Sequence, residues 1–220
     1  MSTIYYLIML WLKGIKNIFE NLWSKDKTPT GQINGIISPL LETLRIGHAV
    51  RWIEGDWVLD CGCGRGKLYE MTNKKISYTG VDSDPLLIEH LQEYYPEAAF
   101  FCARAEELPF DESNQFDVIV MTALLEHIEK PGDLLHHLCS FLRPNGIIVL
   151  TTPNPYFNKL LHIGSRLGFF DKHADEEHKQ LLCKSELRDM FLKSGLRVER
   201  YYRFLFGGNQ LIIGRKSVPI

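Results

Sequence analysis

The stretch Val58-Leu59-Asp60-Cys61-Gly62-Cys63-Gly64-Arg65-Gly66 carries the clearest chemistry in the chain. A short apolar run ends in an acidic residue, and glycines then follow at every second position. Glycine reaches positive φ at no steric cost and lets a ligand approach the backbone closely. If the apolar run is a strand of an open α/β sheet, the loop lies beyond its carboxyl end, where such sheets bind ligands. A lone Gly-rich turn fits several nucleotide-binding folds. Dinucleotide folds use Gly-x-Gly-x-x-Gly, whereas here the third glycine comes one residue earlier. Asp60 would repel a pyrophosphate, but it suits the ammonium end of an amino-acid ligand. A second acidic position follows in Gly80-Val81-Asp82-Ser83-Asp84-Pro85. A carboxylate about 20 residues past a Gly-rich loop can accept both hydroxyls of a ribose, and Asp82 falls in that window. Ser83 or Asp84, just ahead of Pro85, can cap the helix that follows.

These residues need strands to hold them, and the surrounding pattern supplies strands. Short apolar runs occur at Trp57–Leu59, Tyr78–Val81, Ala99–Phe101, Phe116–Met121 and Ile147–Leu150. Helical patterns intervene at Leu68–Asn73, Pro85–Tyr95 and Asp133–Leu142. Such alternation predicts an α/β domain around a mostly parallel sheet. The runs are nearly continuous in apolar residues, as expected for strands covered on both faces. A helix is predicted over Ser38–Ile53, and another over Ser185–Ser194, ended by Gly195. Arg197–Phe206 and Asn209–Arg215, separated by Gly207-Gly208, read as a hairpin. Pro153–Lys184 is then a long insertion between the fifth strand and the last helix. The expected fold is a Rossmann-like doubly wound sheet of seven strands, mostly parallel with a C-terminal antiparallel hairpin. An N-terminal amphipathic helix and linker (1–35) precede this α/β domain (36–220).

That N-terminal helix places Ile4, Leu7, Ile8, Trp11, Ile15, Ile18, Phe19 and Leu22 on one face and Lys13, Lys16, Asn17, Glu20 and Asn21 on the other. The apolar run is too short for a membrane span, which needs about 20 residues. It lacks the flanks of a signal peptide. One reading packs its apolar face on the domain or on a second subunit. The other lays residues 4–23 in a membrane interface, at the inner membrane face. The oligomeric state is left open. The formal net charge of −2 gives no electrostatic footprint for nucleic acid. Five cysteines, an odd number without scaffold spacing, suit a reducing, cytoplasmic compartment. Cys61 and Cys63 have no second pair with which to build a zinc site.

Taken together, the blocks resemble the class I S-adenosylmethionine-dependent methyltransferase superfamily over roughly residues 38–215. The matching blocks are Asp60–Gly66, the acidic strand end at Asp82, Ala105-Glu106-Glu107-Leu108-Pro109-Phe110, Phe116-Asp117-Val118-Ile119, Leu125-Glu126-His127-Ile128 and Leu142-Arg143-Pro144-Asn145-Gly146. They occur in the family's order. The resemblance implies S-adenosyl-L-methionine as cofactor. It implies that Gly62 and Gly64 meet the methionine moiety, that Asp60 orients its amine, and that Asp82 binds the ribose hydroxyls. Ala105 and Glu106 would lie beside the adenine, and Cys63, Ser83 and Thr122 complete the implied cofactor set. One position departs from the pattern. Family members often carry Asp just before the Ala, as an acceptor for the adenine amino group. Here Arg104 stands there, and it cannot accept.

Methyl transfer from a sulfonium asks the protein chiefly for alignment. A hydroxyl nucleophile also needs a base or a metal. His127, just past the fourth strand, is a candidate base; the plainer reading is a structural histidine in a loop. Some related O-methyltransferases hold a divalent metal with Glu-x-x-Glu-His, but here the first position is Ala123, so no metal is expected. His178, in the charged run Asp171–His178, is the second candidate to face the acceptor, with His173 in the same run. Tyr156 and Phe157 are candidates to line its pocket. The expected activity is methyl transfer to a small or lipid-linked acceptor at oxygen. A methyltransferase-like binding module without catalysis is the rival. A nicotinamide-dependent oxidoreductase is disfavoured by the glycine spacing.

Overall fold

The computed structural model describes residues 38–72, 75–111, 115–156 and 181–217. The predicted N-terminal amphipathic helix, most of the 153–184 insertion, Phe157, His173 and His178 lie outside the described residues. The chain divides into two units, residues 1–42 and 43–220. The sheet and the site described below belong to the second.

Helix α1 spans Ser38–Val50. Strand β1 (Trp57–Cys61) leads through the Gly-rich loop into the short helix α2 (Lys67–Met71). Then come β2 (Ser77–Asp82), α3 (Pro85–Tyr94), β3 (Ala99–Cys102) and β4 (Phe116–Thr122). A 3-10 turn at Leu125–His127 precedes α4 (Pro131–Ser140), β5 (Leu142–Pro153) and α5 (Lys184–Lys193). The hairpin β6 (Leu196–Phe204) and β7 (Asn209–Lys216) closes the chain.

The seven strands form one sheet in the order β3-β2-β1-β4-β5-β7-β6. β1 to β5 run parallel, and β7 pairs antiparallel with both β5 and β6. The predicted doubly wound sheet with its C-terminal hairpin is therefore the observed one. Ile46, Ala49, Leu68, Tyr69, Ile88 and Leu91, from α1 to α3, cover one face over Val58, Val118, Val120, Ile147 and Val149. Leu134, Leu135 and Leu138 of α4 and Leu187 and Phe191 of α5 cover the other over Leu59, Ile119, Met121, Ile148 and Leu150. Each fully buried Leu, Ile or Val stabilises this arrangement by about 1.5–3 kcal/mol relative to leaving it exposed. This two-sided cover is why the strands read as apolar runs rather than alternating ones.

The expected boundaries shift in two informative places. β5 begins at Leu142, not at Ile147, because Phe116 pairs with Leu142 while Val118 pairs with Ile147. The residues between bulge out, with Asn145 at φ 64. The Arg143 guanidinium there grips Asp117 at 2.9 Å and lies 5.3 Å from the centre of the Trp57 ring. α1 ends at Val50 rather than Ile53, because the Trp52 and Ile53 N–H groups close tight turns onto the carbonyls of Ala49 and Val50. Asp84 caps α3, its carboxylate accepting from the N–H of Leu86 and Leu87 at 3.0 and 3.2 Å. Gly195 ends α5 with φ 80, as its position predicts. The hairpin turn is wider than the two glycines suggest: Leu205 and Phe206 themselves adopt left-handed φ of 51 and 54. Asn154 braces it, donating from its backbone to Gly208 O and from its side chain to Gly207 O.

Candidate active site

The strand order reverses between β1 and β4, and open α/β sheets bind ligands beyond the carboxyl ends of their strands at such a switch point. The Gly-rich loop lies there. The N–H groups of Gly62 and Cys63 both donate to Val81 O, at 2.8 and 3.0 Å, which ties the loop to the end of β2. Gly64 N donates to Asp82 Oδ2 at 2.9 Å. Gly62 has φ 73, and a Cβ there would lie 3.2 Å from Leu124 Cδ1. Gly66 has φ 70 where α2 begins, and a Cβ there would lie 2.9 Å from Leu91 Cδ2. Both positions require glycine twice over, for the backbone angle and for space.

Asp60 sits under this loop, 2% exposed. The Tyr78 hydroxyl donates to its Oδ2 at 2.6 Å. Its other oxygen, Oδ1, is buried and has no hydrogen-bond partner. Burial pushes the Asp60 carboxyl up to about 7; the Tyr78 hydrogen bond works against that, and the nearby Asp82 charge adds to it. Burial, reinforced by Asp60, also pushes the Cys61 and Cys63 thiols well above the usual range, so neither is a nucleophile. An uncommitted buried carboxylate oxygen calls for a cationic donor. That is the chemistry of an amino-acid ammonium.

Asp82 uses each oxygen once: Oδ2 for Gly64 N, and Oδ1 for Asp84 N at 3.1 Å. Each carboxylate oxygen still has a lone pair for a further donor. Ser83 is exposed beside it, and its carbonyl faces the Cys102 thiol at 3.8 Å. The Ala103 N–H donates to Asp82 O, which brings the start of the next segment alongside. Ala105 is buried there, and the exposed Arg104 pairs with Glu106 Oε1 at 2.9 Å. Loop, β2 end and Ala105-Glu106 thus line one edge of the sheet.

Thr122, the last residue of β4, is half-buried, and Ala123 just past it takes a left-handed φ of 53. Strain of that kind in a non-glycine residue concentrates at ligand sites. The 3-10 turn that follows points its two polar residues apart. Glu126 is buried and accepts from the Thr152 hydroxyl at 3.1 Å, while His127 is exposed. Tyr156 is exposed, with the Arg203 guanidinium 5.7 Å from its ring centre. Tyr78 and Thr152 are contributors that motif reading passes over. In sequence they are a strand tyrosine and a strand threonine, and only the pairing of strands gives them carboxylates to hold.

A family model described as a methyltransferase domain matches residues 41–201. The chain belongs to the class I S-adenosylmethionine-dependent methyltransferases. Its cofactor is S-adenosyl-L-methionine. Among curated relatives, the methyltransferase is 30% identical over 152 residues to a ubiquinone biosynthesis O-methyltransferase of Aeromonas salmonicida (strain A449), covering 66% of this chain and 64% of that protein. It is 29% identical over 197 residues to the protein of the same name from Coxiella burnetii (strain RSA 493 / Nine Mile phase I), covering 85% of this chain and 81% of the relative. Among solved structures it resembles a putative methyltransferase in complex with the Haloferax volcanii Trm112 activator, with TM-score 0.67, 18% identity, and coverage of 83% and 93% of the two chains. It also resembles magnesium protoporphyrin IX methyltransferase from Synechocystis PCC 6803 with bound SAH, with TM-score 0.64, 17% identity, and coverage of 86% and 90%. Among the described residues of the methyltransferase, no helix is long and apolar enough to cross a membrane.

Proposed function

We propose that this methyltransferase transfers the methyl group of S-adenosylmethionine to an oxygen of a small or lipid-linked acceptor, and that residues 36–220 form its catalytic domain. The observation that carries the cofactor half of the reading is Asp60 Oδ1, a buried carboxylate oxygen without a partner under a Gly-rich loop. The names of the curated relatives support transfer to oxygen. The bound cofactor supplies a methyl group on an already activated sulfonium leaving group. The protein's task is then to hold and to orient. Asp60 accepts from the ammonium of the methionine moiety, while Gly62, Cys63 and Gly64 give that moiety a close backbone wall. Asp82 accepts from the ribose hydroxyls with the lone pairs its two loop bonds leave over, and Ser83 lies beside it. Ala105 packs along the adenine, Glu106 accepts from its amino group, and Thr122 borders the reacting end. His127 is the candidate to take the proton of the acceptor hydroxyl, with His178 as a second.

The test is transfer of label from S-adenosylmethionine to lysate metabolites, with Asp82→Ala as the paired variant. Labelling of an acceptor that carries a free hydroxyl, lost in Asp82→Ala, is the expected outcome. Equal labelling by both proteins removes Asp82 from the mechanism, and label found on nitrogen or carbon overturns the oxygen assignment.

A further inference from the structure

Among the described residues, three buried side-chain atoms have no hydrogen-bond partner: Asp60 Oδ1, Thr151 Oγ1 and Asn209 Oδ1. They come from three different strands, yet they share one face and one edge of the sheet. Asp60 alternates with Val58, Thr151 with Ile147 and Val149, and Asn209 with Leu211 and Ile213, all on the face that α1 to α3 cover. Each lies toward the carboxyl end of the parallel strands, because Asn209 at the start of β7 pairs with Pro153 at the end of β5. Asp60 aligns with Val120, and Val120 with Val149, so Thr151 stands one pleat further out, beside Thr122. With strands about 4.8 Å apart, Thr151 is displaced sideways from Asp60 by roughly 10 Å.

A buried polar atom left unpaired loses its hydration with nothing returned. At Asp60 the ammonium of the cofactor is the missing partner in the reading above. Thr151 is fully buried, and it lies across β4 from Asp60, next to the site and on the hairpin side. Asn209 is half-buried and borders the surface at the hairpin turn, while its Oδ1 and the Thr151 hydroxyl are both enclosed beneath it.

We propose that Thr151 and Asn209 form a subsite of the acceptor pocket that holds a neutral hydroxyl group of the acceptor; this rests on the cofactor placement proposed above. The donor and acceptor rules select the class. Asn209 Oδ1 can only accept, so its partner must donate, whereas the Thr151 hydroxyl does either. A hydroxyl satisfies both, donating its proton to Asn209 and accepting from Thr151. An ether or ketone oxygen satisfies Thr151 alone and leaves Asn209 unpaired. An ammonium is disfavoured because the strand partners of the two residues are Thr122, Leu211, Pro153 and Phe204, none of them a carboxylate.

The probes are 4-heptylphenol and its O-methyl ether, titrated by calorimetry into the full chain with S-adenosylhomocysteine bound. The wild type is expected to bind the phenol about tenfold more tightly than the ether. Thr151→Val, which keeps the shape and removes the hydroxyl, is expected to bring the two affinities within about twofold while leaving the S-adenosylhomocysteine affinity unchanged. Asn209→Leu is expected to do the same. The melting midpoint of ligand-free Thr151→Val should equal or exceed that of the wild type, since a methyl group replaces an unpaired hydroxyl. The proposal is overturned if the variants keep the discrimination, if the wild type binds neither probe, or if the ligand-free midpoint of Thr151→Val falls. That last result would mean a buried water or a protein group already bonds the hydroxyl. Failure of S-adenosylhomocysteine itself to bind the wild type is seen in the first titration; it overturns the cofactor-site reading and this subsite with it.

Discussion

Replacing Asp60 with Asn isolates the charge at the centre of the proposed cofactor site, because the shape and the Tyr78 contact survive. Burial raises the Asp60 carboxyl from 3.8 in the unfolded chain to about 7 in the ligand-free fold. Below pH 4 both states are protonated and the residue contributes no pH dependence. Between pH 4 and 7 the unfolded chain releases its proton and the folded one keeps it. Stability therefore falls as pH rises through this window, by roughly 4 kcal/mol in all, and is level above it. Cofactor binding runs the other way, since an ammonium needs the ionised carboxylate. S-adenosylhomocysteine affinity should rise about tenfold from pH 6 to pH 8, with close to one proton released per ligand at pH 6. Calorimetry in buffers of different ionisation heats counts that proton, and thermal melts follow stability. Asp60→Asn should bind more weakly at pH 8, lose the pH dependence of affinity, release no proton, and melt higher than the wild type at pH 8 when ligand-free. An Asn variant that keeps the wild-type pH profile, or that melts lower at pH 8, refutes the assignment of Asp60 as a strained, ligand-awaiting carboxylate.

Three further substitutions separate the site from its scaffold. Asp117 is at the opposite, amino-terminal edge of the sheet; burial opposes its charge, but the N–H groups of Trp57 and Asp56 and the Arg143 guanidinium hold its carboxyl below the usual range. Its contribution is present above the usual carboxylate range and is lost as pH falls through the folded value. Asp117→Asn should cost about 1–3 kcal/mol at pH 7 in denaturant melts, progressively less under acid, with cofactor affinity unchanged. Arg104→Ala releases Glu106 from an exposed ion pair; S-adenosylmethionine should bind roughly two- to fivefold more tightly, and Arg104→Ala in a Glu106→Ala background should show no gain. An unchanged dissociation constant in the single variant removes Glu106 from adenine recognition. His127→Ala should lower kcat by about 10²-fold or more without altering the cofactor dissociation constant, as loss of a general base does; a kcat within about twofold of wild type assigns the exposed His127 to the loop alone.

The spacing of Gly62, Gly64 and Gly66, the acidic residues at Asp60 and Asp82, and the apolar runs were all legible in the chain. Those are local properties: a positive φ, a strand end and two-sided burial each leave their mark on the residue that bears them. The parallel sheet, the C-terminal hairpin and the family followed from them. Boundaries were less legible where strand pairing extends past the apolar run, as at Arg143–Gly146, which falls between the expected helix and strand yet bulges within β5. Motif reading also placed Glu126 and His127 together, whereas a 3-10 turn buries one on Thr152 and exposes the other. What only the tertiary structure decided is which polar atoms find partners. Tyr78 reaches Asp60 because β1 and β2 are neighbours in register, and that bond leaves Oδ1 uncommitted. Thr151 shares an edge with Asp60 because β1, β4 and β5 run parallel in register, and Asn209 joins them because β7 pairs antiparallel with β5. Hydrogen-bond satisfaction is a property of three-dimensional neighbourhoods, so an unpaired atom has no signature in the sequence. The order of the motif blocks, through a family resemblance, implied the cofactor in one dimension; the unpaired oxygens exist only in three.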